Sequence, residues 1–162
     1  MKKAQWKMDS IIGPLYLVAS EKGLQGLFWK EQSIRQEKTL RGSGLEIKII
    51  LQTVDALQEY FLGKSKSFDL PLDVVGTPFQ IRVWNELKKI PYGKTNSYKD
   101  IATRLANPGA SRAVGTANGR NPLSIIIPCH RVIAANGTLG GYAGGLEIKT
   151  KLLDLEQKSL YK

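Results

Sequence analysis

Residues 97–119 run SYKDIATRLANPGASRAVGTANG, from Ser97 to Gly119, and their punctuation decides the fold of the second half of the chain. Ser97 and Asp100 make a capping box, in which each side chain satisfies a backbone N–H of the other and starts a helix. Tyr98, Ile101, Ala102 and Leu105 then fall on one helical stripe. Asn107-Pro108-Gly109 is a tight turn, and Ala110 to Ala117 is helical again until Asn118-Gly119. Two short helices joined by a three-residue turn form a helix-turn-helix candidate. Helical hairpins also occur as plain core packing, but the charges tip the reading. Lys99, Arg104, Arg112 and Arg120 lie in or beside this stretch, opposed only by Asp100.

Upstream, Thr77-Pro78-Phe79-Gln80 combines an N-cap threonine, a first-turn proline and a capping-box glutamine. Phe79, Val83 and Leu87 give the helix that follows an apolar face, and Pro91-Tyr92-Gly93 breaks the chain. Residues 3–30 read as short strands with turns, including Pro14 to Val18 and Leu24 to Trp29. Ile47, Ile50, Leu51, Val54, Leu57 and Phe61 predict a helix over 45–61, closed by Gly63. Lys64 to Gly76 is expected to be a short strand running into an inter-domain connection. Downstream, the β-branched run Ser124-Ile125-Ile126-Ile127 predicts a buried strand that delivers the chain into Pro128-Cys129-His130-Arg131. Asn136-Gly137 marks a turn, Gly140 to Gly145 a glycine-rich loop, and Leu146 to Leu155 a last helix. The fold class is therefore α/β (α+β), with one domain over 1–75 and a mostly helical one over 76–162.

The 162 residues carry a net charge of +10, and it is unevenly spread. Residues 1–75 hold 11 Lys+Arg against 9 Asp+Glu, whereas residues 76–162 hold 13 against 5. A solvated basic surface explains part of this; a polyanion-binding face in the second half, with nucleic acid as its leading ligand, explains the asymmetry. One cysteine forms no internal disulfide, and with one histidine beside it no zinc cluster is expected. Lys2 and Lys3 precede the apolar stretch Ile11 to Ala19, but Asp9, Ser10 and Gly13-Pro14 interrupt it, and its alternation reads as strand, not export signal. No run approaches a membrane span, and a cytoplasmic, reducing location is expected.

The single cysteine and the single histidine are neighbours. A lone cysteine closing an apolar run is usually a small buried hydrophobe. A reactive one needs a base or a positive environment, which His130 and Arg131 are placed to supply. In an extended segment adjacent side chains point to opposite faces, so His130 would reach Cys129 only through a water or a local turn. On the last helix Ile148, Leu152, Leu153 and Leu155 define an inward face, and Glu156 falls on it. A carboxylate turned toward a core costs several kcal/mol unless paired. Either Glu156 snorkels at a frayed helix end, or it fixes the imidazole in a Cys–water–His–Glu relay.

Pro128-Cys129-His130-Arg131-Val132, with Asn121-Pro122 before it and Tyr142-Ala143-Gly144-Gly145 and Glu156 after it, closely resembles the O6-alkylguanine-DNA alkyltransferase family. The resemblance spans residues 77–162, while residues 1–75 match only the general layout of that family's ribonuclease-H-like half. It implies a winged helix-turn-helix-like DNA-binding motif and a single-turnover transfer of an alkyl group to Cys129. It further implies His130 as base through a water, Glu156 as its partner, and Asn121 as a hinge bracing the helix-turn-helix. Tyr98 would meet the flipped nucleotide and help protonate the leaving guanine, and Arg112 would fill the gap in the base stack. Ala113, Arg120 and Arg131 would join Tyr98 and Arg112 at the DNA. Tyr142, Ala143, Gly144 and Lys149 would form the guanine pocket. Position 143 is alanine where serine is frequent, so hydrogen bonding there would come from backbone. The expected partner is double-stranded DNA carrying O6-alkylguanine, bound from the minor groove by a monomer, with no cofactor, no metal and no membrane.

Two other classes use some of the same features. A Cys-His-Glu hydrolase would turn over and would need an oxyanion hole, leaving the basic helix-turn-helix idle. A pure DNA-binding regulator would use the helix-turn-helix and leave the Cys-His-Arg run idle.

Overall fold

The computed structural model describes residues Met1–Leu160 and divides the chain into two compact units, the first Met1–Val75 and the second from Gly76 onward. The mixed α/β class expected from the sequence is what the chain adopts.

In the first unit, β1 (Lys3–Met8), β2 (Leu15–Ser20) and β3 (Leu24–Phe28) form an antiparallel sheet in chain order. Trp6 lies opposite Leu17, and Leu17 opposite Leu27. The helix α1 (Leu45–Phe61) packs on this sheet. Its buried stripe is Ile47, Ile49, Ile50, Thr53, Leu57 and Tyr60, while Leu51, expected inside, is 39% exposed. The strand expected within Lys64–Gly76 reduces to one parallel bridge between Leu24 and Leu72. Gly23 permits this close pass, because a Cβ there would sit 2.7 Å from the Leu72 carbonyl carbon. Asp73 then ties the segment down, accepting from Ser20 Oγ at 2.6 Å and Gln25 Nε2 at 2.9 Å.

The second unit begins with α2 (Pro78–Leu87), whose capping box between Thr77 and Gln80 is formed on both sides. A two-residue strand, β4 (Asn96–Ser97), leads into α3 (Tyr98–Arg104), which carries the Ser97–Asp100 capping box. After a turn in which Ala106 takes φ +58°, α4 (Ser111–Gly119) packs against α3 and α2. Trp84 Nε1 donates to the Ala117 carbonyl at 2.9 Å and fixes α2 to α4. The strand β5 (Val132–Ile133) pairs in parallel with β4, and α5 (Leu146–Ser159) closes the unit. Val83, Leu87, Ile101, Val114, Leu123 and Leu152 are fully buried and form its core.

Candidate active site

The segment between α4 and β5 is not the strand that its β-branched run predicts. Ile127 N donates to Leu123 O at 2.8 Å and Ile126 N to Ser124 O at 2.9 Å, so Ser124–Ile127 is a tight reversal. Ile125 has φ +75°, a conformation costing a β-branched residue about 1–3 kcal/mol and kept only where surroundings dictate it. Asn121 dictates it. Its amide donates to Ile127 O at 2.8 Å and accepts from Leu123 N at 2.9 Å, replacing the partners a neighbouring strand would supply. That is a bracing contact within the turn, at the position where the resemblance expects a hinge.

The reversal ends in a single 3-10 turn over Cys129–Arg131, with Cys129 N bonded to Ile127 O and Arg131 N to Pro128 O. Tight curvature replaces the extended alternation considered above. Cys129, His130 and Arg131 are all buried. His130 Nε2 lies 2.5 Å from Glu156 Oε2. Arg131 reaches the same carboxylate with Nε at 2.7 Å and Nη2 at 3.2 Å, and donates Nη1 to the Ile90 carbonyl at 2.9 Å. Its guanidinium also lies over the Tyr92 ring, 5.5 Å from the centroid. Gly93 N adds a donor to Glu156 Oε1 at 3.2 Å. Arg131, expected at the DNA, is buried and bonded to Glu156.

Glu156 is 1% exposed, so of its two readings the paired carboxylate holds. The inward face of α5 is Lys149, Leu152, Glu156 and Ser159, one step round from the apolar stripe expected at Ile148, Leu153 and Leu155. Lys149 is fully buried, with Nζ donating to the carbonyls of Val132 at 2.7 Å and Gly141 at 3.3 Å, and to that of Leu139. It holds the glycine-rich loop to α5.

A cavity of about 290 Å³ opens beside the thiol, lined by Tyr98, Gly115, Asn118, Gly119, Cys129, Gly141, Tyr142 and Ala143. Tyr98, Cys129, Tyr142 and Ala143 were expected there. Gly144 and Lys149 do not line it; the loop turns so that Gly141 does, and Lys149 acts on that loop from behind. Gly115, Asn118 and Gly119 were missed. The one signal for them is the pair of glycines four residues apart on α4, which clears one face of the helix. Arg112, Ala113 and Arg120 are exposed on or just after α4.

Electrostatics set the resting protonation. Burial pushes the Cys129 thiol above its usual value, against the opposing pull of the Asn121 and Ser124 side chains and Lys149. Burial lowers His130, although Glu156 pulls the other way. Burial alone would raise Glu156, but hydrogen bonds and charge from His130 and Arg131 prevail and hold it down at about 2. Burial also brings Lys149 down to about 8 and raises Tyr98 and, further, Tyr142. At neutral pH the site is thiol, neutral imidazole, carboxylate and guanidinium. With Nε2–H directed at Glu156, the lone pair lies on Nδ1, which is buried and has no hydrogen-bond partner among the described residues. A neutral thiol lines the cavity, and a neutral imidazole follows it in the same turn.

One prediction follows from these directions. His130 and Glu156 both have folded values below their ordinary 6.5 and 4.5, so the unfolded chain binds more protons and acid destabilises the fold. Urea midpoints measured against pH should fall below about pH 6.5 through His130, and further between about 4.5 and 2 through Glu156. A midpoint unchanged from neutrality to pH 3 would contradict the burial of this pair.

Known proteins resemble this chain in sequence and fold. Residues 78–158 match the model of the 6-O-methylguanine DNA methyltransferase DNA-binding domain, and residues 6–74 that of its ribonuclease-like domain. The methylated-DNA–protein-cysteine methyltransferase of Methanosarcina acetivorans is 49% identical over 91% of this chain and 94% of its own. The crystal structure of the Mycobacterium tuberculosis O6-methylguanine methyltransferase superposes with a TM-score of 0.85 at 42% identity, covering 98% of this chain and 94% of that one. The Mycobacterium tuberculosis protein OGT in complex with DNA gives the same TM-score and identity over 96% and 94%.

Proposed function

The chain belongs to the 6-O-methylguanine DNA methyltransferase family, and from this we propose that Cys129 is the alkyl-accepting residue of a direct DNA repair reaction. The protein moves an alkyl group from the O6 of guanine in DNA onto its own cysteine. Family membership sets aside the hydrolase and the pure regulator. The observation that carries the residue assignment is the sole cysteine at the cavity wall, followed in the same turn by an imidazole held by a buried carboxylate.

Guanine O6 lies inside the duplex, so the nucleotide is extruded at a cost of a few kcal/mol, recovered by contacts in the pocket. The exposed Arg112 and Arg120 engage the DNA, Arg120 at the backbone and Arg112 in the gap that the base leaves, with Ala113 allowing close approach. We place α4 in the minor groove and one protein molecule at each lesion. The Cys129 proton passes to His130 Nδ1 through a water, and Glu156 offsets the charge that develops on the ring. Sulfur attacks the alkyl carbon in line: the S–C bond forms, the C–O6 bond breaks, and its electron pair stays on guanine. Tyr98 and Tyr142, neutral phenols at the cavity, face that departing base, and Tyr98 helps to neutralise it. A thioether is not hydrolysed, so each molecule acts once.

Arg112→Ala separates DNA engagement from chemistry. Transfer from an O6-methylguanine duplex should slow by at least about tenfold, while reaction with free O6-benzylguanine should stay within about twofold. Equal losses on both substrates would remove Arg112 from the DNA.

A further inference from the structure

The positive charge of the second unit is not concentrated on α4. Arg82 on α2, Lys88 and Lys89 just past its end, and Arg104 at the end of α3 are all exposed. Arg82, Lys89 and Arg104 line a groove of about 400 Å³ between α2 and the C-terminal end of α3. Successive residues of an α-helix are about 100° apart, so Arg82 and Glu86 each lie about 160° round α2 from Trp84. Trp84 faces α4, where it donates to the Ala117 carbonyl. The groove and α4 are therefore on opposite sides of α2.

Both arginines of this groove are held in place without losing their charge. Arg82 Nη2 donates to the Leu105 carbonyl at 3.2 Å, and Arg104 Nη1 to Asn96 Oδ1 at 3.0 Å. These acceptors are neutral, and neither arginine makes an ion pair among the described residues. Each guanidinium is thus steadied at one nitrogen and keeps N–H donors on the others, in the fork that matches a phosphate. The nearby carboxylates are engaged elsewhere: Glu86 with Lys89 Nζ at 2.8 Å, and Asp100 with the Ser97 backbone N–H. A protein partner would need an apolar or aromatic anchor point, and the groove offers no aromatic side chain and only the buried Leu105 and the small Ala106. A chain of phosphates needs no such anchor. Resting on the functional reading above, in which α4 carries the lesion-bearing duplex, we propose that the groove between α2 and α3 binds the phosphate backbone of a second DNA duplex. One protein molecule then bridges two segments, and it can pass from one to the other while searching for lesions without releasing both.

The test is a bridging assay on the intact protein, in which a bead-bound duplex captures a second, fluorescent duplex only when the protein joins them. Wild type should retain the fluorescent duplex. The double variant Arg82→Gln/Arg104→Gln keeps an N–H donor at each position and removes both charges. Its capture should fall by at least about tenfold, and the slope of log affinity against log salt should flatten by roughly two. Arg82→Lys/Arg104→Lys, which keeps the charges, should retain most of the capture. Single-turnover transfer from an O6-methylguanine duplex should stay within about twofold of wild type in both variants, which also shows that they fold. A wild-type protein that transfers the methyl group but captures no second duplex overturns the bridging role and leaves the repair reading standing. Undiminished capture by the glutamine variant overturns it too, since the bridge then runs between two protein molecules. Polyglutamate that binds through Arg82 and Arg104 in preference to duplex would give the groove to an acidic protein and overturn it likewise. No transfer by wild type from the O6-methylguanine duplex overturns the repair reading itself, on which the idea of a second site rests.

Discussion

Glu156→Ala should lower the unfolding free energy of the second unit by about 3–5 kcal/mol, the range for removing one partner of a buried ion pair. The carboxylate is shared by His130 and Arg131, and all three side chains are buried. His130 adapts by staying neutral, but a guanidinium keeps its charge at any pH where the fold exists. Arg131 would then hold only the Ile90 carbonyl and the Tyr92 face against the loss. Natural domains have about 5–15 kcal/mol in total, so the loss is a large share. Glu156→Gln, which keeps one carbonyl acceptor, should cost less than the alanine. Urea unfolding of the intact protein measures both, and a loss under about 1 kcal/mol for Glu156→Ala would show that the network contributes no stability.

The second large effect is on rate. His130→Gln keeps an N–H for Glu156 but removes the nitrogen that takes the thiol proton. The single-turnover transfer rate should fall by about 10²–10⁴, the usual contribution of a positioned base. Binding to an unmodified duplex should be unchanged, since His130 is fully buried. In wild type, burial keeps the imidazole neutral below its ordinary range, so the rate should hold as pH drops through 6.5 and fail only at lower values. A variant within about threefold of wild type would show that the thiol ionises without His130.

Much of the second unit was legible because its signals are local. The Thr77–Gln80 and Ser97–Asp100 boxes announce helix starts within four residues, and both form as read. Cys129 beside His130 is equally local. What failed depends on partners distant in sequence. The run Ser124–Ile127 carries strand propensity, yet Asn121 satisfies its backbone from within the turn and lets it reverse. Hydropathy periodicity leaves Lys149 off the inward face of α5, and Arg131 was expected at the DNA. They are buried because carbonyls and opposite charges satisfy them, which no periodicity count can see. Asn118 was passed over for a similar reason: as the residue before a helix-ending glycine it looked like punctuation, and only the cavity shows what it faces.

That Cys129 is a once-only alkyl acceptor is tested most directly by intact-mass spectrometry of the protein after incubation with excess duplex containing O6-methylguanine. The expected result is a gain of one methyl group per chain and no more, absent in Cys129→Ala. An unchanged mass while the duplex loses its methyl group, or the same gain in Cys129→Ala, would contradict it.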